Sequence, residues 1–223
     1  MRRLGTEIAR LMVLENEFSL KSNTYPHSTV GTSFAEARTE AIRKSIHFLI
    51  ALSPSLAMLN YQFTVLALMA GVLCYTVMEL LRLSGVKIPL VSALTRMASR
   101  PRDMHGFVLG PVTLGLGALL ALALFPLPVA SIGIYALAFG DGFAGLVGKL
   151  YGKIRPAFLF GKSAEGSMAC FAAAFISAFL VSHSLAVSLA AALTATAVEA
   201  LPLEDHDNIA LPLAVCAVVS LVF

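Results

Sequence analysis

The chain has 223 residues, of which 58% are hydrophobic and only 13% charged, with a mean hydropathy of +0.83. An average globular domain carries about 25% charged residues, so this composition does not fit a soluble domain of the same length. It fits one all-α polytopic membrane domain. The formal net charge is +3, and no continuous basic stripe or aromatic platform suggests nucleic acid; the basic residues suit anionic headgroups and phosphates.

Residues 1–45 read as a cytoplasmic N-terminal segment and residues 46–223 as the transmembrane domain. Leu4, Ile8, Leu11 and Met12 fall at helical spacing, which predicts an amphipathic helix over 4–18, either in the plane of the inner leaflet or packed on the protein. Glu7, Arg10, Glu15 and Glu17 interrupt any secretory h-region. Residues 19–36, rich in Ser and Thr and broken by Pro26 and Gly31, predict a loop. About seven spans follow, near 46–60, 62–81, 106–125, 128–148, 166–182, 184–201 and 208–223. Several approach the lower limit of the ~20 residues needed to cross a bilayer. The first is interrupted by Ser53, Pro54 and Ser55 and carries His47.

The connections set the orientation. All 16 Lys and Arg residues fall before the first span, between the second and third, or between the fourth and fifth. The opposite connections, Asn60-Tyr61, Phe125–Pro128 and Ser182–Ser184, contain none. The positive-inside rule then puts the N-terminus and every motif with chemical character on the cytoplasmic face, and the C-terminus outside. Cys74, Cys170 and Cys216 each lie in an apolar segment without metal or redox spacing, and read as small buried hydrophobes.

Two glycine motifs mislead. Gly140–Gly145 spells G-x-G-x-x-G, but within an apolar span and without a preceding strand it cannot open a dinucleotide fold. Gly161-Lys162-Ser163 resembles the end of a phosphate loop, but Pro156 stands where that loop needs its first glycine.

Three clusters carry chemistry. Asp141 lies inside an apolar segment, where a carboxylate is costly enough to be a functional candidate. On a helix it shares a face with Ala144, Gly145, Gly148 and Gly152; this stripe reads either as small-residue helix packing or as room for a ligand, and Lys149 and Lys153 extend it. Next, Lys162, Ser163 and Glu165 precede Gly166 at the expected start of the fifth span, where backbone N–H groups and a lysine suit a phosphate. Finally, Glu199, Glu204, Asp205 and Asp207 lie within nine residues, which suits Mg²⁺ held by one or two carboxylates plus phosphate oxygens; Asp207 or Asn208 is expected to cap the last helix. Upstream, Arg43 and His47 are spaced i, i+4 beside Lys44, and Glu79 and Arg82 are spaced to pair.

Together these residues resemble the CTP-dependent lipid kinases, the family of dolichol kinase, phytol and farnesol kinase and the CTP-dependent diacylglycerol kinase of fungi. Asp141, Ala144, Gly148 and Gly152, an eight-residue gap, and Gly161–Gly166 follow the family's long signature, with Gly161 in place of its first Lys and Ser163 in place of its Thr. Glu199, Asp207 and Asn208 look like the family's later acidic motif, and Arg43, Lys44 and His47 like its early basic one. The resemblance covers roughly residues 40–215. It implies an integral membrane kinase that moves the γ-phosphate of CTP, with Mg²⁺, onto the hydroxyl of a lipid alcohol entering sideways between spans. Asp141, Glu165, Glu199 and Asp207 would be catalytic, with Asp141 and Asp207 as metal ligands or base. Lys162, Ser163, Gly166, Gly148, Gly152, Lys149 and Lys153 would surround the nucleotide phosphates, and Arg43, Lys44, His47 and Asn208 would assist. A phosphatidate cytidylyltransferase, which would release pyrophosphate, and a small transporter or structural membrane protein are the alternatives.

Overall fold

The computed structural model describes residues 34–86 and 106–223, with side chains from Glu40 onward in the first stretch. The expected amphipathic helix over 4–18, the loop over 19–33 and four basic residues of the second basic connection (Lys87, Arg96, Arg100 and Arg102) lie outside the described residues. Residues 33–223 form one compact unit. The described elements are all helical: α1 Phe34–Ile50, α2 Leu52–Leu59, α3 Tyr61–Leu83, α4 Gly110–Leu124, α5 Leu127–Tyr135, a π-helical turn Ala136–Asp141, α6 Gly142–Leu150, a 3₁₀ turn Ala157–Leu159, α7 Ala164–Ser182, α8 Leu185–Ala200 and α9 Asp207–Val219.

Among the described residues, three stretches are long and apolar enough to cross a membrane: α3, the continuous Leu127–Leu150 rod of α5, π turn and α6, and α7. The helices α4, α8 and α9 are apolar but shorter, at 10–17 residues. The first expected span differs most from expectation. Its helix begins at Phe34, inside the stretch read as a loop, and breaks at Ala51. The cause is Pro54, which has no N–H to return to the carbonyl of Ile50. The Ser53 hydroxyl donates to that carbonyl instead, at 2.7 Å.

The core is built from small side chains. Ala118, Ala121, Ala130, Ala174, Ala178, Ala191, Ala192 and Ala195 are all fully buried. Such residues let helix backbones approach closely where no water drives burial. The Leu127–Leu150 rod is the central post, largely enclosed, with α7, α8 and α9 packed around it and α4 against α9. Pro212 lies inside α9 and leaves the carbonyl of Asn208 without its helical partner. There α4 sets Gly117 so close that a Cβ would collide with that carbonyl oxygen. A Cβ on Gly133 would lie 2.7 Å from the carbonyl oxygen of Pro212. Of the three cysteines, Cys170 and Cys216 are buried as expected, whereas Cys74 is exposed on α3.

These contacts separate two glycines of like sequence context. Gly117→Ala is expected to destabilise by about 1–3 kcal/mol through overpacking against backbone. Gly71→Ala, on an open face of α3 with nothing near its Cβ, removes a helix-interior glycine that costs up to ~1 kcal/mol relative to alanine. Thermal unfolding in detergent should show a lower midpoint for the first and an unchanged or higher one for the second.

Candidate active site

The carboxylate of Asp141 closes the π turn that joins α5 to α6. An extra residue in a helical turn rotates the following face, and such turns recur at functional sites. Lys44, on α1, donates to Asp141 Oδ2 at 2.5 Å, and His47 Nδ1 lies 3.2 Å from the same oxygen. All three side chains are buried. Within an apolar bundle neither charge is tolerable alone, so the pair welds α1 to the central rod. Both contacts fall on Oδ2.

The glycine stripe after Asp141 serves packing, and the packing positions the site. A Cβ at Gly142 would meet the Phe48 ring, and one at Gly145 would meet the stem of Lys44. Gly145 thus clears the path by which Lys44 reaches Asp141. At Gly148 the added atom would lie 2.9 Å from Ser163 Oγ, and at Gly152 it would collide with Ser163 and the carbonyl of Gly148. The stripe therefore seats α1 and the start of α7 directly against α6.

That helix start is tightly braced. Ser163 Oγ accepts from the Gly166 N–H at 3.1 Å and caps α7, so the helix begins at Ala164 rather than at Gly166. Glu165 accepts from the backbone N–H groups of Lys153 and Ile154, at 3.0 Å and 3.2 Å. Arg155 donates to the carbonyls of Gly161, at 2.6 Å, and Gly148, at 3.1 Å. Gly161 takes a φ of +87°, a conformation that favours glycine, and turns the chain so that Lys162 reaches α8. Lys162 Nζ lies 3.1 Å from Glu199 Oε1 and also donates to the Glu199 carbonyl. The latter is one of the carbonyls that a helix C-terminus leaves unpaired, and a cation there also meets the helix dipole favourably. Glu199 Oε2 accepts from Ser167 Oγ at 3.4 Å.

The acidic turn after α8 holds Glu204 at a φ of +56°, which is uncommon for a residue with a Cβ. Neither Asp207 nor Asn208 caps α9. His206 occupies the cap position without a side-chain bond, and Asp207 is the first helical residue. Asn208 instead turns into the bundle, donating from Nδ2 to Thr113 Oγ1 at 2.9 Å and to Gly110 O at 3.4 Å, and its buried Oδ1 has no partner.

These groups face one cavity of about 830 Å³. It brings together Asp141, Lys44, His47 and Arg43 with Gly148, Lys149, Lys162, Ser163 and Gly166, and with Glu199, Asp207 and Asn208. Three expected site residues do not line it: Gly152, Lys153 and Glu165 shape the loop behind it. The expectations missed Glu40, which lines the cavity and bonds Arg43 at 2.6 Å and approaches Lys149 at 3.6 Å. They also missed Arg155, whose two backbone bonds span the loop. Glu40, Arg43, Lys44 and His47 share one α1 face at i, i+3, i+4 and i+7, a periodicity that had the signal for Glu40. The expected Glu79–Arg82 pair is present and bidentate, at 2.7 and 2.8 Å.

The chain is similar to plant proteins named as phytol kinases. It is 29% identical to the probable phytol kinase 1, chloroplastic, of Oryza sativa subsp. japonica over 157 residues, covering 62% of this chain and 50% of that protein. It is 30% identical over 149 residues to the probable phytol kinase, chloroplastic, of Triticum aestivum, covering 59% and 50%. A third such protein, from Zea mays, is 28% identical over 157 residues, covering 62% and 52%. The chain thus spans about half the length of the curated relatives it matches. No family model matches the chain, and no solved structure does.

Proposed function

We propose that the chain is an integral membrane kinase that transfers the γ-phosphate of CTP to the hydroxyl of a lipid alcohol. The observation that carries this reading is one cavity into which a buried carboxylate on a π turn, a glycine-braced lysine loop and an acidic turn all converge, in a chain similar to proteins named as phytol kinases. Three stretches long enough to cross among the described residues, three shorter apolar helices and the restriction of every Lys and Arg to three stretches of the sequence are what support a reading of about seven spans with the N-terminus and the site on the cytoplasmic face.

Phosphoryl transfer asks a protein for positioning and charge neutralisation more than for covalent chemistry. In this reading Lys162, Lys149, Arg43 and the backbone at the start of α7 hold the triphosphate. Asp141 is oriented through Oδ2 by Lys44 and His47, and presents Oδ1 to the lipid hydroxyl. The hydroxyl oxygen attacks the γ-phosphorus, the bond from that phosphorus to the β-phosphate oxygen breaks, CDP leaves, and the hydroxyl proton passes to the carboxylate. Among the described residues no three His, Cys, Asp or Glu side chains form a metal cage. The residues fit a Mg²⁺ ion that arrives with the nucleotide, since such an ion needs only one or two protein carboxylates. Asp207 and the unpartnered Asn208 Oδ1 would hold it, with Asp141 within the same cavity. Mg²⁺ would supply neutralisation of phosphate charge.

Purified protein given γ-labelled CTP and a panel of lipid alcohols should form labelled lipid phosphate and CDP, with CTP preferred to ATP at least about tenfold, ~1.4 kcal/mol in transition-state binding. Release of pyrophosphate would instead indicate a cytidylyltransferase, and equal use of ATP would refute the donor assignment.

Asp141→Asn should abolish transfer. It also strands the Lys44 charge, and breaking a buried pair costs about 3–5 kcal/mol. The double variant Lys44→Met/Asp141→Asn should therefore recover thermal stability but no turnover. Turnover near that of the unaltered protein in the single variant would remove Asp141 from the reaction.

Orientation has its own test. With the native cysteines replaced, single cysteines at the exposed positions Lys153 and His206 should react with an impermeant thiol reagent from the cytoplasmic side, and one at His183 from the opposite side. Labelling of Lys153→Cys and His206→Cys from different sides would overturn the topology.

A further inference from the structure

The cavity lining combines charged and apolar side chains. On α1 it includes Glu40, Arg43, Lys44 and His47 and, among them and just beyond, Ile46 and Leu49. On the segment leading into α4 it runs from Val108 and Gly110 through Pro111 to Leu114, and α3 contributes Tyr75. The acidic turn, Lys149 and Lys162 supply charged lining, with Asn208 next to the turn reaching Gly110 O at 3.4 Å, and Asp141 and His47 line the same cavity.

The helices make a lane here. α3 packs on α2 and α4, whereas α1 packs on α6 and the π turn, so α1 and α3 diverge from their shared α2 corner and hardly touch. The floor of the gap is α4. Leu114 on that floor is buried, Tyr75 is half-buried with its hydroxyl 3.4 Å from the carbonyl of Val108, and Leu49 on the α1 rim is 63% exposed. An apolar lane that, among the described residues, is open between α1 and α3 and shares its cavity with a buried carboxylate matches an amphiphile with a single hydroxyl at the end of an apolar chain. A soluble nucleotide has no use for the apolar part, and a water-soluble acceptor has no apolar chain to place in it.

We infer that the lane between α1 and α3, formed by Ile46, Leu49, Tyr75 and Leu114, is the binding site for the apolar chain of the lipid alcohol, with its hydroxyl at Asp141. This rests on the proposed kinase reading for the identity of the ligand, and it adds the side of the bundle by which the acceptor enters and the residues that select it. Narrowing the lane at its rim should raise the KM for a long-chain alcohol and leave the KM for CTP unchanged.

The test is a photo-crosslinking experiment on the full chain in detergent, using a long-chain primary alcohol that carries a diazirine midway along the chain. Crosslinks that map to residues 46–49, 72–76 or 111–114 and that excess unlabelled alcohol competes away are expected. Labelling of other lipid-facing surfaces should not saturate. Leu49→Trp should reduce the competed crosslinks at least about fivefold, whereas Leu193→Trp, on an exposed face of α8, should leave them intact. Because this readout needs no turnover, the two readings fail separately. Competed crosslinks in the lane with no phosphoryl transfer would retain the lane and refute the kinase. Phosphoryl transfer with competed crosslinks on another face, or with Leu49→Trp indistinguishable from Leu193→Trp in both crosslinking and alcohol KM, would overturn the lane.

Discussion

The buried ion pair between Lys44 and Asp141 is the constraint from which the site follows. Both groups are buried among apolar helices, so each depends on the other. For the pair to form, α1 must lie close to α6, and it can do so only because Gly142 and Gly145 leave room for Phe48 and for the lysine stem. The π turn then sets the phase of the rod, so that Asp141 meets α1 while the same helix presents Gly148, and the chain just past its end Gly152, to Ser163. One charge pair, one irregular turn and a row of absent Cβ atoms are a single solution to one packing problem.

A second tier of interactions prepares the loop between α6 and α7. Glu165, Arg155 and Ser163 spend their hydrogen bonds on backbone groups of residues 148–166. Polar groups used in this way hold other atoms in place. They define the direction from which Lys162 crosses to Glu199, and so join the end of α8 to the start of α7. The Glu79–Arg82 pair does the same on the other side of the cavity, because Glu79 also accepts the Val108 N–H at 3.0 Å and Arg82 donates to Gly106 O at 2.8 Å. Charged side chains thus hold backbone on both sides of the cavity, including Val108 beside the lane between α1 and α3.

Much of this was legible in the linear chain. Apolar runs of helical length announced the helices, and Asp141 stood out because a lone carboxylate in such a run demands a reason. The i, i+3, i+4 rule found Glu79 with Arg82 and paired Arg43 with His47, beside Lys44. Boundaries were less legible. Pro54 marked a break, but that Ser53 would take the freed carbonyl of Ile50 depends on a local side-chain bond with no spacing rule, and no residue in the stretch read as a loop announced that α1 includes Phe34. The cap of α9 was misassigned because Asn208 gains more from Thr113 and Gly110, nearly a hundred residues away, than from its own helix end.

Composition and charge order by themselves pointed to apolar helices, placed every Lys and Arg in three stretches of the sequence, and marked which carboxylates and lysines to examine. Only tertiary structure decided the role of each. It showed that Glu165 braces a loop while Glu40 lines the cavity, that the glycines serve close packing around Lys44 and Ser163, and that Asp141 is held through one oxygen by two partners about a hundred residues earlier. The physical reason is that period and composition report which face of a helix is apolar. Which partner a buried polar group finds depends on where the other helices come to rest.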